Sequence, residues 1–519
     1  MQSGQEKVKL FNVRFLPLFA AFLILGIFSV KVSYTVAAIL LFVAAVCSFA
    51  LFFTKNVKWG VAVALVLVFL LGFGIAKLDL HFRNDVRLSG KTQLTCRVTE
   101  VTLKEGQETD AIIDGETEED PLSEVFPVFV ITADKVKAGG KSYGGGVTFE
   151  TTEVLAVGDR LTLFGDVKIK ELSLADFSQS MAYRKGCKYE VTDPEVLLAQ
   201  SGAAPHSERI KTEARVVFCE TQGTRAGGFS YAMLFGDAEY MESGDKTAMR
   251  AVGVAHVFAI SGLHVGVLAA ALLLLLRKLK VKDGISALIL LPIFGFYAYL
   301  VGFTPSVLRA SIMVLVGLAA SHFGARYDDL SSLSLAAILI LLFRPLLLFD
   351  LSFVMSFLAI FGLHSLSGPL TQAFERKGLK KGLAAALALS VSTTVALLPV
   401  FATVFGQVSL VGVVLNLLVV PLASVAYILN LIGLLLTAAL PAFGVFLKAV
   451  AIIPSLIAEI SVGVASWGLT ASYDFMAAEI LVYYAILGFV GKYSLAPKKA
   501  KLVAGGVGAG VLAILFFAV

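Results

Sequence analysis

The sequence predicts a polytopic α-helical membrane protein of about 13 spans, with a small β domain inserted on the outer side after the third span. Three observations carry this prediction. Apolar residues make up 57% of the 519 and charged residues 16%, with mean hydropathy +0.85. The apolar residues fall in blocks near the roughly 20 needed to cross a hydrocarbon core about 30 Å thick. Basic residues collect in alternate loops, which fixes an orientation.

The first apolar blocks lie near 15–30, 34–53 and 59–76. No small-residue cleavage site follows the first, so it reads as an anchor. Residues 1–76 thus form an N-terminal membrane region. Ten further blocks follow a long polar segment, near 254–276, 284–302, 305–323, 331–346, 350–368, 384–404, 409–438, 444–467, 476–493 and 502–519, and make up a second membrane region over 254–519. The 409–438 block contains Pro421 and is long for one simple span, which predicts a broken or re-entrant helix. Lys7, Lys9, Arg14, Lys55 and Lys58 fall on one side if every block crosses once. Arg277, Lys278, Lys280, Lys282, Arg376, Lys377, Lys380, Lys381, Lys492, Lys498, Lys499 and Lys501 join them there. That side is the cytoplasm, so the N-terminus is cytoplasmic and 77–253 is outside.

The outer segment has two textures. Over 77–200, Leu94, Cys96 and Val98 alternate with polar residues, as do Phe126, Val128 and Val130, Val147 and Phe149, and Leu161 and Leu163. Gly139-Gly140, Gly144-Gly145-Gly146 and Gly158-Asp159 supply turns between these runs. Short strands with Gly-rich turns suit a small barrel or sandwich. The acidic stretch Glu105–Glu124 reads as a loop. Over 201–253 apolar residues mix with Glu208, Arg209, Lys211, Glu213 and Arg215, the pattern of amphipathic helices lying along the outer membrane surface. Four cysteines show no C-x-x-C spacing. Cys96 and Cys187 share the outer segment, where a disulfide between them and two unrelated thiols are both open readings.

The chemistry-bearing stretch is His256-Val-Phe-Ala-Ile-Ser-Gly-Leu-His264. Polar side chains in an apolar run face a protein interior or a watery cavity. On a continuous helix His256 and His264 share a face, roughly 12 Å apart at 1.5 Å per residue. That is too far for a shared metal ion unless the helix breaks at Ser261-Gly262, and no third ligand stands nearby. Ser261 and His264, three residues apart, form a conceivable nucleophile and base, though no acidic orienter is adjacent. Helix packing is the competing role for all three. Arg309 and Asp350 open two later blocks near the outer leaflet, where a stabilising ion pair is one reading. Asn416 and Pro421 would break a helix at membrane depth and expose backbone to a permeant, or merely kink it. Glu459 and Glu479 read as helix-end residues or proton sites. No Walker A sequence and no H-E-x-x-H occur, so neither ATP hydrolysis nor a soluble metallohydrolase centre is expected, and no cofactor.

Several segments together resemble the ComEC-type competence proteins, which carry DNA across the bacterial cytoplasmic membrane in natural transformation. They are Leu234-Phe-Gly-Asp237, His256 to His264, Phe303-Thr-Pro-Ser-Val-Leu-Arg309-Ala, Asp350 to Leu358, Phe405-Gly-Gln-Val-Ser-Leu410 and Leu415-Asn-Leu-Leu-Val-Val-Pro-Leu422. The resemblance implies an outer OB-like domain that receives DNA and a helical bundle that passes one strand. In that picture His256, Ser261 and His264 line or gate the path, with Asp237, Arg309, Asp350, Asn416 and Pro421 in support. It also implies partners: single-stranded DNA, membrane lipids, an outer DNA receptor and a cytoplasmic helicase-like motor. A separate nuclease is expected too, since the chain lacks the metallo-β-lactamase-like domain with which many members end. A homodimer is a further expectation.

Single-strand grooves combine charge with stacking. Arg97, Lys135, Lys137, Lys141, Lys168, Lys170, Arg184, Lys185 and Lys188 are candidates for the first. Tyr143, Phe149, Phe164, Phe177 and Tyr183 are candidates for the second, with an ordinary solvated face and core aromatics as the competing reading for each. The family usually has Phe-Gln-Leu-Ser-Phe where this chain has Phe353-Val-Met-Ser-Phe357, a departure that removes a polar side chain at 354. The reading is a channel for single-stranded DNA in the cytoplasmic membrane. Its alternatives are an intramembrane serine hydrolase using Ser261 and His264, and a secondary transporter of a small solute.

Overall fold

The structure, a computed structural model, describes residues 15–30, 39–43, 46, 59–84, 90–103, 128–143, 145–153, 155–169, 187–202, 204–258, 260–406, 408–409, 411–468, 470–471 and 475–491. Two expected spans, near 34–53 and 502–519, fall largely or wholly outside these residues, as do the acidic stretch, Phe177, Tyr183 and most of the basic N-terminal and C-terminal loops. The chain divides into two units, Phe73–Ala214 with Arg344–Leu351, and the remainder.

The smaller unit is built on six strands: β1 (Gly90–Leu103), β2 (Phe129–Ala138), β3 (Lys141–Ser142), β4 (Gly146–Thr151), β5 (Arg160–Ile169) and β6 (Cys187–Gln200). The strand order is β1-β5-β6-β4-β2, and β1 pairs with β2 to close the ring, with β3 a short extension of the hairpin. β4 and β6 run parallel, whereas the other neighbours are antiparallel. This is a closed five-stranded barrel with the connectivity of an OB-like fold. Closure leaves few free edges, and the side-chain period of two sends one set inward. Leu94, Cys96, Val98, Val147, Phe149, Leu161, Leu163, Tyr189 and Val191 fill the interior. On β2 the expected inward residue Val130 is only half-buried, and Ile131 and Ala133 lie in the core. The β2 register with β4 is unbroken from Phe129 to Ala133, so Ile131 and Ala133 share the inward face and Val130 takes the other. Gly139 and Gly140, with φ of 54° and 80°, make the two-residue turn from β2 to β3. That double left-handed geometry suits glycine and matches strand twist.

Two open alternatives are decided here. Cys96 is a free thiol, 4% exposed, so the disulfide to Cys187 is not formed. Alternation sends Cys96 into the core between Leu94 and Val98, and β1 does not pair with the strand that carries Cys187. Phe149, 2% exposed, is a core residue and not a stacking platform, whereas Phe164 is 38% exposed.

The larger unit is helical. Its helices are α1 (Phe15–Phe28), α4 (Thr224–Phe235), α5 (Ser243–Ala251), α6 (Gly262–Lys278), α7 (Asp283–Leu300), α8 (Pro305–His322), α9 (Asp329–Phe343), α10 (Leu351–Arg376), α11 (Lys381–Phe405), α12 (Gly412–Ala439), α13 (Gly444–Val450), α14 (Ile452–Ala465) and α15 (Ala477–Val490). The helices α2 (Trp59–Asn84) and α3 (His206–Gln222) each cross the division between the units. Among the described residues six segments are long and apolar enough to cross a membrane: 283–300, 305–322, 351–376, 381–405, 412–439 and 441–465. The protein is a multi-pass membrane protein with a small barrel.

The boundaries follow the apolar blocks closely, because a helix in lipid must satisfy its own backbone and so runs the length of the apolar stretch. α12 nevertheless departs from expectation. It is continuous over 28 residues through Pro421 and is not broken there. Pro292, Pro369 and Pro399 lie inside α7, α10 and α11 in the same way. In membrane helices packed neighbours and side chains tolerate the one lost backbone bond. α4 also departs from the reading of 201–253 as surface helices. Residues 226–235 are all buried, so this helix is part of the bundle core, while α3 keeps the amphipathic mixture. Gly227 and Gly228 allow the close approach, since a Cβ at either would meet backbone of Phe218 or Tyr240.

Candidate functional site

The His256–His264 stretch is not one helix. His256 lies in a 3-10 turn, Ala255–Val257, and α6 starts only at Gly262. The same-face spacing of the two histidines therefore does not apply. Ser261 is the N-cap of α6 and His264 occupies the third position, and the two reciprocate. Ser261 Oγ accepts from Leu263 N at 3.2 Å, and His264 Nδ1 accepts from Ser261 N at 3.2 Å. Ser261 Oγ is also 3.1 Å from His264 Nδ1. A capping box satisfies orphan donors at a helix start, and here His264 takes the place usually held by Glu or Gln. The Ser–His contact thus has a local structural cause.

The imidazole is 3% exposed and packs on Tyr427 of α12, with ring centroids 4.9 Å apart. Val257, Leu263, His264, Val267, Ala423, Ser424 and Tyr427 enclose a cavity whose volume open to the centre of a water molecule is about 10 Å³. That is room for about one water. The site is closed to anything as large as a nucleotide in this conformation.

Ser306 Oγ of α8 donates to Ile260 O at 2.7 Å and so ties the start of α8 to the start of α6. One turn further along α8, Arg309 is 3% exposed and its guanidinium lies against Gly262. A side chain at 262 would collide with it. Arg309 Nε is buried without a hydrogen-bond partner, and the Phe357 ring centroid lies 6.0 Å from the guanidinium carbon.

Of the expected residues, the structure brings together Ser261, His264 and, through Gly262, Arg309. Asp237 is placed in a turn after α4, where its carboxylate accepts from Glu239 N at 3.1 Å. Gly236 before it caps α4 at φ 72°, against the side chain of Ile260. Asp350 is buried at the end of a 3-10 turn, Pro345–Phe349, that belongs with the smaller unit. Asn416 and Pro421 are on α12 but do not line the cavity, and Pro421 is exposed. Glu459 pairs with Arg225 at 2.6 Å, and Glu479 accepts from Met476 N at the start of α15. No group of three or more metal-ligating side chains gathers among the described residues.

Three partners escaped sequence reasoning. Tyr427 looks like an ordinary aromatic of an apolar helix. Ser306 looks like a helix-start residue after Pro305. Asn430 is an intramembrane amide, which was itself a signal. It forms a closed ring with two other side chains: Gln222 Nε2 donates to Asn430 Oδ1 at 2.8 Å, Asn430 Nδ2 donates to Ser230 Oγ at 3.0 Å, and Ser230 Oγ donates to Gln222 Oε1 at 2.7 Å.

A family model described as "Competence protein" matches residues 233–497, just over half of the chain. ComE operon protein 3 of Bacillus subtilis (strain 168) is 35% identical over 194 residues, which cover 37% of this chain and 24% of that protein. The chain thus spans about a quarter of the length of the curated relative it matches. No solved structure matches.

Proposed function

The chain belongs to the competence protein family, and from that premise we propose that it is the membrane channel through which single-stranded DNA enters the cell during transformation. The observation that carries the reading is where the match falls. Residues 233–497 take in the His256–His264 stretch, Arg309 and all six long apolar helices. In this reading the N-terminus is cytoplasmic, about 13 spans cross the cytoplasmic membrane, and the barrel lies outside to receive DNA. The exposed Lys135, Lys137, Lys141 and Lys168 supply its charge and Phe164 a stacking face. A motor and an outer receptor act with it as partner proteins. The closed cavity at His264 is the resting state of the gate, which opens when a strand is delivered.

The test is uptake of end-labelled DNA into the cytoplasm of cells carrying His264→Ala, with membrane insertion checked by immunoblot. The expected outcome is loss of uptake with normal insertion. Unimpaired uptake in a full deletion removes the DNA reading. Labelling of the wild type by a serine-reactive probe, abolished by Ser261→Ala, would instead support the hydrolase.

A further inference from the structure

We propose that Arg309 and the start of α6 form an anion site that takes a backbone phosphodiester of the translocated strand. The proposal rests on the channel reading for the identity of its ligand, though not for the existence of the site. Arg309 is 3% exposed and makes no hydrogen bond or ion pair among the described residues. Its guanidinium lies against Gly262, the first residue of a 17-residue helix. Two helix starts meet at this point, because Ser306 at the start of α8 bonds Ile260 O just before α6. Both are positive dipole ends.

An unpaired cation beside two positive helix ends repels its surroundings, and burial adds the loss of hydration. The Phe357 ring at 6.0 Å offsets only a fraction of that. With no described carboxylate paired to Arg309, an anion completes the arrangement. The capping box leaves one donor for it. Ser261, Leu263 and His264 N–H are satisfied within the cap, whereas no described group accepts from Gly262 N–H. A guanidinium with a helix-start N–H is a common phosphate receptor. Glycine at 262 is required because any Cβ would push the guanidinium away. A phosphodiester carries one negative charge per nucleotide, so a single such site would pass the strand stepwise and refuse a neutral chain.

The test uses the full chain in lipid-free maltoside micelles and reads melting temperature against added orthophosphate. Orthophosphate is expected to stabilise the wild type, with Arg309→Gln and Gly262→Ala binding it ~10-fold or more weakly. Without phosphate, Arg309→Met should melt no lower than the wild type, since it removes an uncompensated buried charge. Failure of Arg309→Met to fold, or an undiminished orthophosphate effect in Arg309→Gln, overturns the site. Two competitors then separate the sources of phosphate. An oligonucleotide with natural linkages should displace orthophosphate, and the same sequence with methylphosphonate linkages should not. If only phosphatidylglycerol competes, the anion site stands and the strand as its occupant is overturned.

Discussion

At the scale of single residues, position in the local backbone decides chemistry. Ser261 looks like a nucleophile in sequence and is a cap in the structure, because the chain leaves its 3-10 turn just before it. Ser261→Ala is expected to destabilise the protein by ~1 kcal/mol, the usual cost of a lost N-cap, and Ser261→Asn to recover most of it. Denaturation in detergent at matched pH measures both. Cys96 gives a second residue-scale outcome. Burial, and then the nearby Asp134 carboxylate, push its thiol from 9.0 up to about 12. The neutral thiol is thus favoured in the folded barrel. Its contribution to stability is complete below pH 9 and is lost as pH rises from 9 towards 12, where the unfolded chain ionises first. A maleimide should leave Cys96 unlabelled at pH 8 until the barrel is unfolded, and rapid labelling of the native protein would contradict the burial.

Among elements, buried polar contacts do what apolar contacts cannot do in a membrane, where lipid is as apolar as the helix faces. The Gln222–Ser230–Asn430 ring joins α3, α4 and α12, and Gln222 Nε2 also donates to Leu447 O at 3.0 Å. Asn430→Ala leaves the buried Ser230 and the half-buried Gln222 short of partners, which costs about 1–3 kcal/mol. A double-mutant cycle with Ser230→Ala should show coupling, and strict additivity would mean that the ring does not act as a unit. Arg225 ties the same region together by ion pairs to Asp245 at 2.8 Å and Glu459 at 2.6 Å. In the barrel, the Gly139–Gly140 turn depends on left-handed backbone conformation. Gly140→Val at φ 80° should cost ~1–2 kcal/mol, measured on the full chain by the loss of protease resistance of the β2–β3 hairpin.

For the whole molecule, the alternation of basic loops predicts sidedness. A cysteine placed at Lys280 should react with a membrane-impermeant maleimide only after the cells are opened, and one at Lys137 in intact cells once the outer envelope is removed. The reverse pattern would invert the proposed topology. The membrane class, six of the long apolar helices and the existence of a small barrel were legible in the sequence, since they follow from apolar length and from alternation along a strand. The apolar runs expected near 284–302, 305–323 and 384–404 become helices over 283–300, 305–322 and 381–405 for that reason. The same rules could not see that Pro421 leaves α12 intact or that α4 is a core helix. They left open whether Cys96 is bridged, and the structure shows a free thiol. Each of those outcomes depends on which neighbour packs alongside. The polar run from His256 to His264, by itself, determined where to look and that its residues serve the protein interior. Only the tertiary structure decided that the run breaks at Ser261, that His264 faces Tyr427, and that Arg309 comes to rest on Gly262. Those meetings join segments more than 40 residues apart, and local periodicity carries no information about which distant helix will supply the partner.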